Sequence, residues 1–289
     1  MQLRAFAKIN LDLRVLGKRD DGYHEVRTIL QTIDWFDEIS IEPADRFEFV
    51  AHGVSGGEDN LVVRAVRVFE QLSGARVCAR VELVKHVPMG AGLGGGSADA
   101  AVTLMGLQKF CGWEIAEPEL FEALGRLGSD VPFFAIGGRA LGTGRGNEIT
   151  ALPEDADESG YGLLIVHPGI PISTPEAYSW LTVSDKPSRI RGFCVQSVSG
   201  SGDDEPRNDF ESVVFARYPL LSDIKREILR AGAVRVALSG SGSAIFGIFG
   251  SEEQAVQALP HLSQFGTVKA TRPLSRPEYL RSLWGVAKW

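Results

Sequence analysis

The sequence has few cysteines, and those it has are scattered. Cys78, Cys111 and Cys194 are the only ones among 289 residues, and they form no CxxC pair. An odd count without such a pair fits reduced thiols in a cytosolic protein. We therefore expect the cysteines to serve as packing residues; the alternative is a catalytic cysteine.

Other absences narrow the class of protein further. The five histidines show no HxxxH or HExxH spacing, so no histidine-built metal site is expected. Basic residues are not in excess, and a net charge of −7 argues against general binding to nucleic acid or to a membrane surface. Neither an apolar run of membrane-spanning length nor a secretory signal pattern is present, so we expect a cytoplasmic protein.

Glycine, by contrast, is concentrated in one stretch. Residues Pro88 to Ala98 read PMGAGLGGGSA and precede an apolar helical pattern. Glycines allow a close approach of the backbone, so successive N–H groups can converge on one anion, and a helix N-terminus adds positive field. The stretch predicts a phosphate-binding loop; the alternative is a glycine-rich turn without a ligand.

Two familiar phosphate motifs do not account for this loop. A P-loop requires Lys-Ser or Lys-Thr after its last glycine, whereas Gly96 is followed by Ser97 and Ala98. The GxGxxG pattern of dinucleotide-binding proteins matches formally, but it expects a ribose-binding acid about 20 residues on. Residues 109–113 read as a helix end without such an acid, which excludes a dehydrogenase.

Hydrophobic periodicity predicts a β-rich opening followed by mixed structure. In the first half, strands are expected at 3–15, 28–33, 38–42, 46–50 and 77–84, with a strand pair over 137–152. Helices are expected after Asn60 as N-cap, from Ser97, and over 117–127.

The second half has the alternation of an α+β region. Strands are expected at 161–167, 234–238, 244–249 and near 267, and helices after Thr174 as N-cap, over 219–231 and near 252. The helix over 219–231 should be closed by Gly232 and bury Leu221, Ile224, Ile228 and Leu229. The polar tract 183–207 predicts a mobile surface loop.

Three segments together resemble the three motifs of the GHMP kinases. They are Ala7-Lys8-Ile9-Asn10, the glycine-rich loop and residues 238–244. Within that superfamily the chain is similar to the 4-diphosphocytidyl-2-C-methyl-D-erythritol kinase family over almost its whole length, including 21–24, 59–61, 127–132 and 167–169. The resemblance implies a ribosomal protein S5-like α/β domain over 1–157, a ferredoxin-like α+β domain over 158–289, and an active site between them.

The resemblance also implies the reacting groups. Asp130 matches the catalytic aspartate of the family, and Lys8 matches the lysine whose positive charge would favour the ionised carboxylate and orient the acceptor hydroxyl. Taken alone, Asp130 could be a turn residue and Lys8 a solvated lysine on a strand.

Binding residues follow from the same resemblance. On the acceptor side they are Asn10, Tyr23, His24, Thr174 and Tyr178, with the third motif Ser239, Gly240, Ser241 and Gly242. Tyr23 and Tyr178 would sandwich a cytosine base whose edge His24 reads; alternatively, Tyr178 is a core aromatic. On the donor side they are Asn60, Leu61, Lys85, Pro88, Met89, Gly90, Ala91, Gly92, Leu93, Gly94, Gly95, Gly96, Ser97 and Ala98. Lys85 could equally be an exposed lysine at a strand end.

The implied reaction is transfer of phosphate from ATP, with Mg²⁺ held mainly by the nucleotide, to 4-diphosphocytidyl-2-C-methyl-D-erythritol in the non-mevalonate isoprenoid pathway. A rival acceptor within the superfamily, such as homoserine or mevalonate, and a non-catalytic ligand-binding relative stay open as alternatives. Ala98 departs from the family pattern, which commonly has a second serine there. The chain could be a monomer or a homodimer.

Overall fold

The computed structural model describes residues 1–153, 160–181 and 207–284. In these ranges the strands are β1 Gln2–Lys18, β2 His24–Pro43, β3 Glu48–His52, β4 Ala79–Val84, β5 Arg139–Thr143, β6 Glu148–Ala151, β7 Gly162–His167, β8 Arg235–Leu238, β9 Ile245–Phe249 and β10 Thr267–Thr271. The helices are α1 Leu61–Ser73, α2 Gly95–Cys111, α3 Glu117–Leu127, α4 Phe133–Ile136, α5 Thr174–Ser179, α6 Glu211–Arg217, α7 Pro219–Arg230, α8 Glu252–Leu262 and α9 Arg276–Leu283.

The first sheet has the order β3-β4-β2-β5-β6, and β1 also pairs with β2. Its strand β2 is continuous over 20 residues, whereas the sequence predicted separate strands at 28–33 and 38–42. The residues between the two predicted strands include Asp34 and Asp37. Asp37 is nevertheless fully buried within the strand, because donors from distant residues satisfy its carboxylate.

Helix α2 lies deep in the first layer, which consists of the first sheet and the helices packed against it. It packs against α1 and β1 and buries Ala98, Ala101, Val102, Leu104 and Leu107. The helix begins at Gly95, two residues before the predicted start at Ser97, after Gly94 in a left-handed conformation. The end of the glycine-rich loop is therefore anchored to a buried helix.

The second sheet has the order β10-β7-β9-β8, and its neighbouring strands are antiparallel. Numbered within this unit, the strands run 4-1-3-2. Helices connect the first strand to the second and the third to the fourth. This is the ferredoxin-like arrangement, as expected for the second half.

Helix α9 returns to the first layer. Tyr279 and Leu283 are buried in the same hydrophobic cluster as Leu3 and Phe6 of β1. Sequence reasoning did not predict α9, α6 or the short α4. The proposed domain division after residue 157 falls among residues 154–159, which are not described, and it stays a proposal.

Several local predictions are corrected. Helix α5 begins at Thr174 with Ser173 as its N-cap, and Leu229 is 45% exposed, so it does not belong to the buried stripe of α7. Cys78 and Cys111 are free and exposed, so the packing role predicted for them is wrong. Cys194 and the loop predicted over 183–207, except for Arg207, lie outside the described residues. The described helices include none that is long and apolar enough to cross a membrane.

Candidate active site

A cleft of about 440 Å³ opens where the first layer faces the second. Its walls combine β1, the glycine-rich loop, the turn before α4, the start of α5 and the turn between β8 and β9. Most of the predicted site residues line it: Lys8, Asn10, Asn60, Leu61, Lys85, Pro88, Met89, Gly90, Ala91, Gly92, Leu93, Gly94, Gly95, Gly96, Ser97, Asp130, Thr174, Tyr178, Gly240 and Ser241. Tyr23, His24, Ala98, Ser239 and Gly242 do not line it.

The glycine-rich loop is held by its carbonyl groups. The carbonyl oxygens of residues 90–93 accept hydrogen bonds, in order, from the N–H of Ile172, the N–H of Ala244, the hydroxyl of Ser239 and the N–H of Lys8, at 3.4, 3.0, 2.9 and 2.9 Å. Because N–H and C=O point in opposite directions across a planar trans peptide, the amides that follow face away from these partners. The first N–H groups of α2 also lack intrahelical partners. The loop therefore presents donors that suit an anion.

Two glycines in this loop allow the other segments to approach it closely. Gly92 has φ +76°, and a Cβ there would lie 2.0 Å from the carbonyl oxygen of Ser239. Gly94 has φ +70°, and a Cβ there would lie 2.9 Å from Cζ of Phe134 and 3.0 Å from Cε of Lys8. Only glycine fits both the backbone conformation and the space at these positions.

Lys8 and Asp130 form an ion pair at the floor of the cleft. Nζ of Lys8 lies 3.2 Å from Oδ2 of Asp130, and the side chains are 3% and 38% exposed. Asp130 lies in the turn between α3 and α4. The alternative of a solvated lysine does not hold for Lys8, which is buried.

A chain of hydrogen bonds continues from Lys8 along β1. Its ammonium donates to Oδ1 of Asn10 at 2.6 Å, and Nδ2 of Asn10 donates to Oγ1 of Thr28 at 2.8 Å. The Thr28 hydroxyl donates in turn to the carbonyl oxygen of Asp12 at 2.7 Å. Thr28 and Asp12 were not predicted as part of the site, because their contacts join two strands. The chain fixes the rotamers of Lys8 and Asn10.

The aromatic residues of the predicted base site pair in an unexpected way. The rings of His24 and Tyr178 are stacked, with centroids 4.8 Å apart and planes inclined by 20°. Burial raises the pKa of Tyr178, and the charge of Asp130 raises it further. Burial also lowers the pKa of His24, with Lys18 adding to the effect, which favours the neutral imidazole.

Tyr23 stands apart from this stack. Its side chain is 52% exposed, and the guanidinium carbon of Arg145 lies 4.6 Å from its ring centroid. The ring stacked on Tyr178 is therefore that of His24 rather than a second tyrosine, and Phe210 contacts Tyr178 edge to face, with centroids 4.9 Å apart. The predicted sandwich of a base between Tyr23 and Tyr178 stays a prediction.

The third motif forms a tight turn against the glycine-rich loop. Oγ of Ser241 lies 3.1 Å from Oγ1 of Thr174, so the turn also contacts the start of α5. The buried side chain of Asn208 donates from Nδ2 to the carbonyl oxygens of Leu238 and Gly240, at 2.8 and 2.7 Å. Sequence reasoning missed Asn208, which follows a polar tract and carries no motif signal.

On the donor side, Asn60 is the predicted N-cap of α1. Its Oδ1 accepts from the N–H of Val62 at 2.9 Å, and its Nδ2 donates to the carbonyl oxygen of Ser55. Ser97 lines the cleft, whereas Ala98 is fully buried in the hydrophobic core. A second serine hydroxyl at Ala98 would therefore face the core rather than the cleft.

The side chain of Lys85 is only 7% exposed, so the alternative of an exposed lysine is wrong. Its Nζ lies 2.5 Å from Oδ2 of Asp37 and 2.7 Å from Oδ2 of Asp99. Burial alone would lower the pKa of Lys85, but Asp99 and Asp37 more than offset this and the pKa is raised. Burial raises the pKa of Asp99 to about 7 against the opposing attraction of Lys85, and Asp37 reinforces the rise. Neither carboxylate was singled out from the sequence.

Comparison with known proteins places the chain in a family. The GHMP kinases N terminal domain matches residues 60–138, and the GHMP kinases C terminal domain matches residues 197–267. A 4-diphosphocytidyl-2-C-methyl-D-erythritol kinase of Solibacter usitatus is 44% identical, over 98% of this chain and 91% of its own length. One of Geobacter sulfurreducens is 40% identical, over 89% of this chain and 93% of its own length.

A solved structure gives the same result. The crystal structure of a 4-(cytidine 5'-diphospho)-2C-methyl-D-erythritol kinase is 30% identical and superimposes with a TM-score of 0.81, covering 94% of this chain and 99% of that one. The matches confirm the two-domain GHMP kinase fold and an ATP-dependent kinase. The chain belongs to the 4-diphosphocytidyl-2-C-methyl-D-erythritol kinase family of the GHMP kinases.

Proposed function

We propose that this kinase transfers the γ-phosphoryl group of ATP to the 2-hydroxyl of 4-diphosphocytidyl-2-C-methyl-D-erythritol, giving the 2-phosphate and ADP, in the non-mevalonate isoprenoid pathway. The observation that carries the proposal is the Lys8–Asp130 pair, which opens on the same cleft as the glycine-rich loop. A phosphoryl donor held at the loop and a hydroxyl held at Asp130 would share one cavity. The names of the relatives support the acceptor.

Asp130 is the proposed general base. As the acceptor oxygen bonds to the γ-phosphorus, the bond from that phosphorus to the bridging oxygen of ADP breaks, and the hydroxyl proton passes to the Asp130 carboxylate. Lys8 is its electrostatic partner: its buried ammonium fixes the carboxylate and adds positive charge near the transferring group. Asn10 contacts the acceptor from the same wall while its Oδ1 holds Lys8.

Magnesium fits this site through the nucleotide. The loop offers N–H donors, which bind phosphate oxygens rather than a cation, while Mg²⁺ prefers oxygen ligands and retains several waters. Phosphate oxygens and water would therefore supply most of its ligands. When bound, the ion offsets phosphate charge, and the protein orients the phosphates through the loop and Ser97.

The cytidine end of the acceptor is assigned to the aromatic residues beside the cleft. Tyr178 and Thr174 line it, and His24 stacks on Tyr178. Stacking accepts any base, so selection requires hydrogen bonds, for which the neutral imidazole of His24 has one donor and one acceptor. Tyr23 completes the proposed base site. Homoserine and mevalonate have no base and would leave these rings without a role.

Release of ADP tests the proposal. The purified protein is incubated with ATP and Mg²⁺ and with the diphosphocytidyl acceptor, homoserine or mevalonate in parallel. We expect turnover with the cytidine compound alone. Turnover with another acceptor would refute the substrate assignment, and nucleotide binding without turnover of any acceptor would favour the non-catalytic alternative.

A further inference from the structure

Asp37 accepts hydrogen bonds from the residues that lead into the glycine-rich loop. It is fully buried on β2, and its Oδ1 accepts from the N–H groups of His86 and Val87 at 2.5 and 2.8 Å. Its Oδ2 accepts from Nζ of Lys85 at 2.5 Å. One carboxylate thus fixes three consecutive residues just before the loop.

Lys85 links Asp37 to the other end of the loop. Its ammonium also donates to Oδ2 of Asp99 at 2.7 Å, and Asp99 belongs to α2, which follows the loop. A Cβ on Gly95, the first residue of α2, would lie 3.1 Å from Nζ of Lys85 and 3.3 Å from Oδ2 of Asp37. The charged cluster therefore lies directly beneath the N-terminus of the helix.

Stability alone does not account for this cluster of Asp37, Lys85 and Asp99. Burying charged groups costs free energy that apolar side chains of similar volume would avoid. Oδ1 of Asp99 has no hydrogen-bond partner among the described residues, which adds to that cost. Apolar residues could not supply directional hydrogen bonds. A carboxylate that accepts hydrogen bonds from two backbone N–H groups and an ammonium fixes the path of the backbone.

We propose that Asp37 is a positioning residue for the nucleotide. Acting through Lys85 and Asp99, Asp37 fixes the positions of both ends of the phosphate-binding loop. The inference rests on the proposed binding of ATP phosphates at this loop. Asp37 itself does not line the cleft. Its removal should therefore weaken nucleotide binding and spare the acceptor site.

The test compares two neighbouring carboxylates on one strand. Asp37→Asn keeps the shape and leaves Oδ1 able to accept from His86 and Val87, but its amide would face the ammonium of Lys85 with a donor. Glu38→Gln is the matched control, because Glu38 is exposed on the opposite face of β2. Thermal unfolding of both variants establishes that they fold. Where Asp37→Asn shows no cooperative transition, Asp37→Ser, which is smaller and keeps a hydroxyl oxygen as acceptor, carries the same test.

Calorimetric titration with a non-hydrolysable ATP analogue and Mg²⁺ measures the effect without any acceptor. We expect the Kd to rise about tenfold or more for Asp37→Asn, because a buried charge-assisted contact is lost, and to stay within about twofold for Glu38→Gln. In steady-state assays the KM for ATP should rise by a similar factor. The KM for the acceptor and kcat should stay within about threefold of the parent.

The double variant Asp37→Asn/Lys85→Met shows whether Asp37 acts through Lys85. If it does, the double variant binds the analogue no more weakly than Lys85→Met alone. An unchanged Kd in folded Asp37→Asn, an equal rise in both KM values, or additive losses in the double variant would overturn the proposal. A parent that binds the analogue but phosphorylates no acceptor would refute the proposed function instead.

Discussion

The ammonium of Lys8 lies 3.2 Å from the carboxylate of Asp130, and the lysine side chain is 3% exposed where the aspartate side chain is 38% exposed. The lysine is held from behind by Asn10, whose own amide is fixed by Thr28. A substrate hydroxyl can therefore reach Asp130 while Lys8 stays in place. This asymmetry suits a base with a fixed cationic partner.

Asp130→Asn should abolish most of the activity. An amide cannot accept the hydroxyl proton, so we expect kcat to fall by about 10²–10⁴-fold with little change in either KM. Steady-state ADP release measures this, and an unchanged unfolding transition shows that the variant is intact. Turnover within a few-fold of the parent would mean that Asp130 is not the base.

Tyr178→Ala should weaken binding of the acceptor and leave binding of ATP unchanged. The proposal places the cytosine base against the Tyr178 ring, and base–aromatic stacking contributes about 1–3 kcal/mol, so the acceptor KM should rise roughly 5- to 150-fold. Tyr178→Phe is the matched control, because it keeps the ring and removes only the hydroxyl. Equal effects of Tyr178→Ala on both KM values would point to a purely structural role.

Gly92→Ala should disrupt the loop. Its Cβ would lie 2.0 Å from the carbonyl oxygen of Ser239, so the loop and the third motif must separate. We expect nucleotide affinity to be lost and the melting temperature to fall. Gly74→Ala is the control, since Gly74 also has a positive φ of +67° but no atom within 4 Å of its Cβ position. Similar effects of the two substitutions would assign the loss to backbone strain alone.

Asp99 should make stability depend on pH. Burial raises its pKa to about 7 in the folded protein, from an unfolded value near 3.8. Folding therefore favours the protonated acid: the contribution to stability is complete below the unfolded pKa and is lost as the pH rises through about 7. Relative to Asp99→Asn, the parent should become less stable between pH 5 and pH 8. Melting curves that stay parallel across this range would contradict the shift.

The sequence predicted the elements that depend on local patterns. The amphipathic helix after Asn60, the strands around the third motif and the α+β alternation of the second half are confirmed. These features follow from periodicity, capping and glycine placement, which are properties of neighbouring residues.

The sequence could not reveal contacts between distant residues. Asp37 falls between two predicted strands, yet it is a buried member of β2 that pairs with Lys85. Asn208 and Thr28 form hydrogen bonds with motif residues that lie on other elements. The stack of His24 on Tyr178 joins β2 to α5. Such long-range pairs have no signature in a single sequence.

The most direct test of the proposed reaction is the proton-coupled ³¹P spectrum of the product. Carbon 2 of the methylerythritol carries a methyl group and no hydrogen, so a phosphate on its hydroxyl has no proton three bonds away. The account predicts a phosphomonoester signal without resolved coupling, alongside the intact diphosphate. A doublet from the secondary hydroxyl, a triplet from the primary one, or no monoester signal would contradict it.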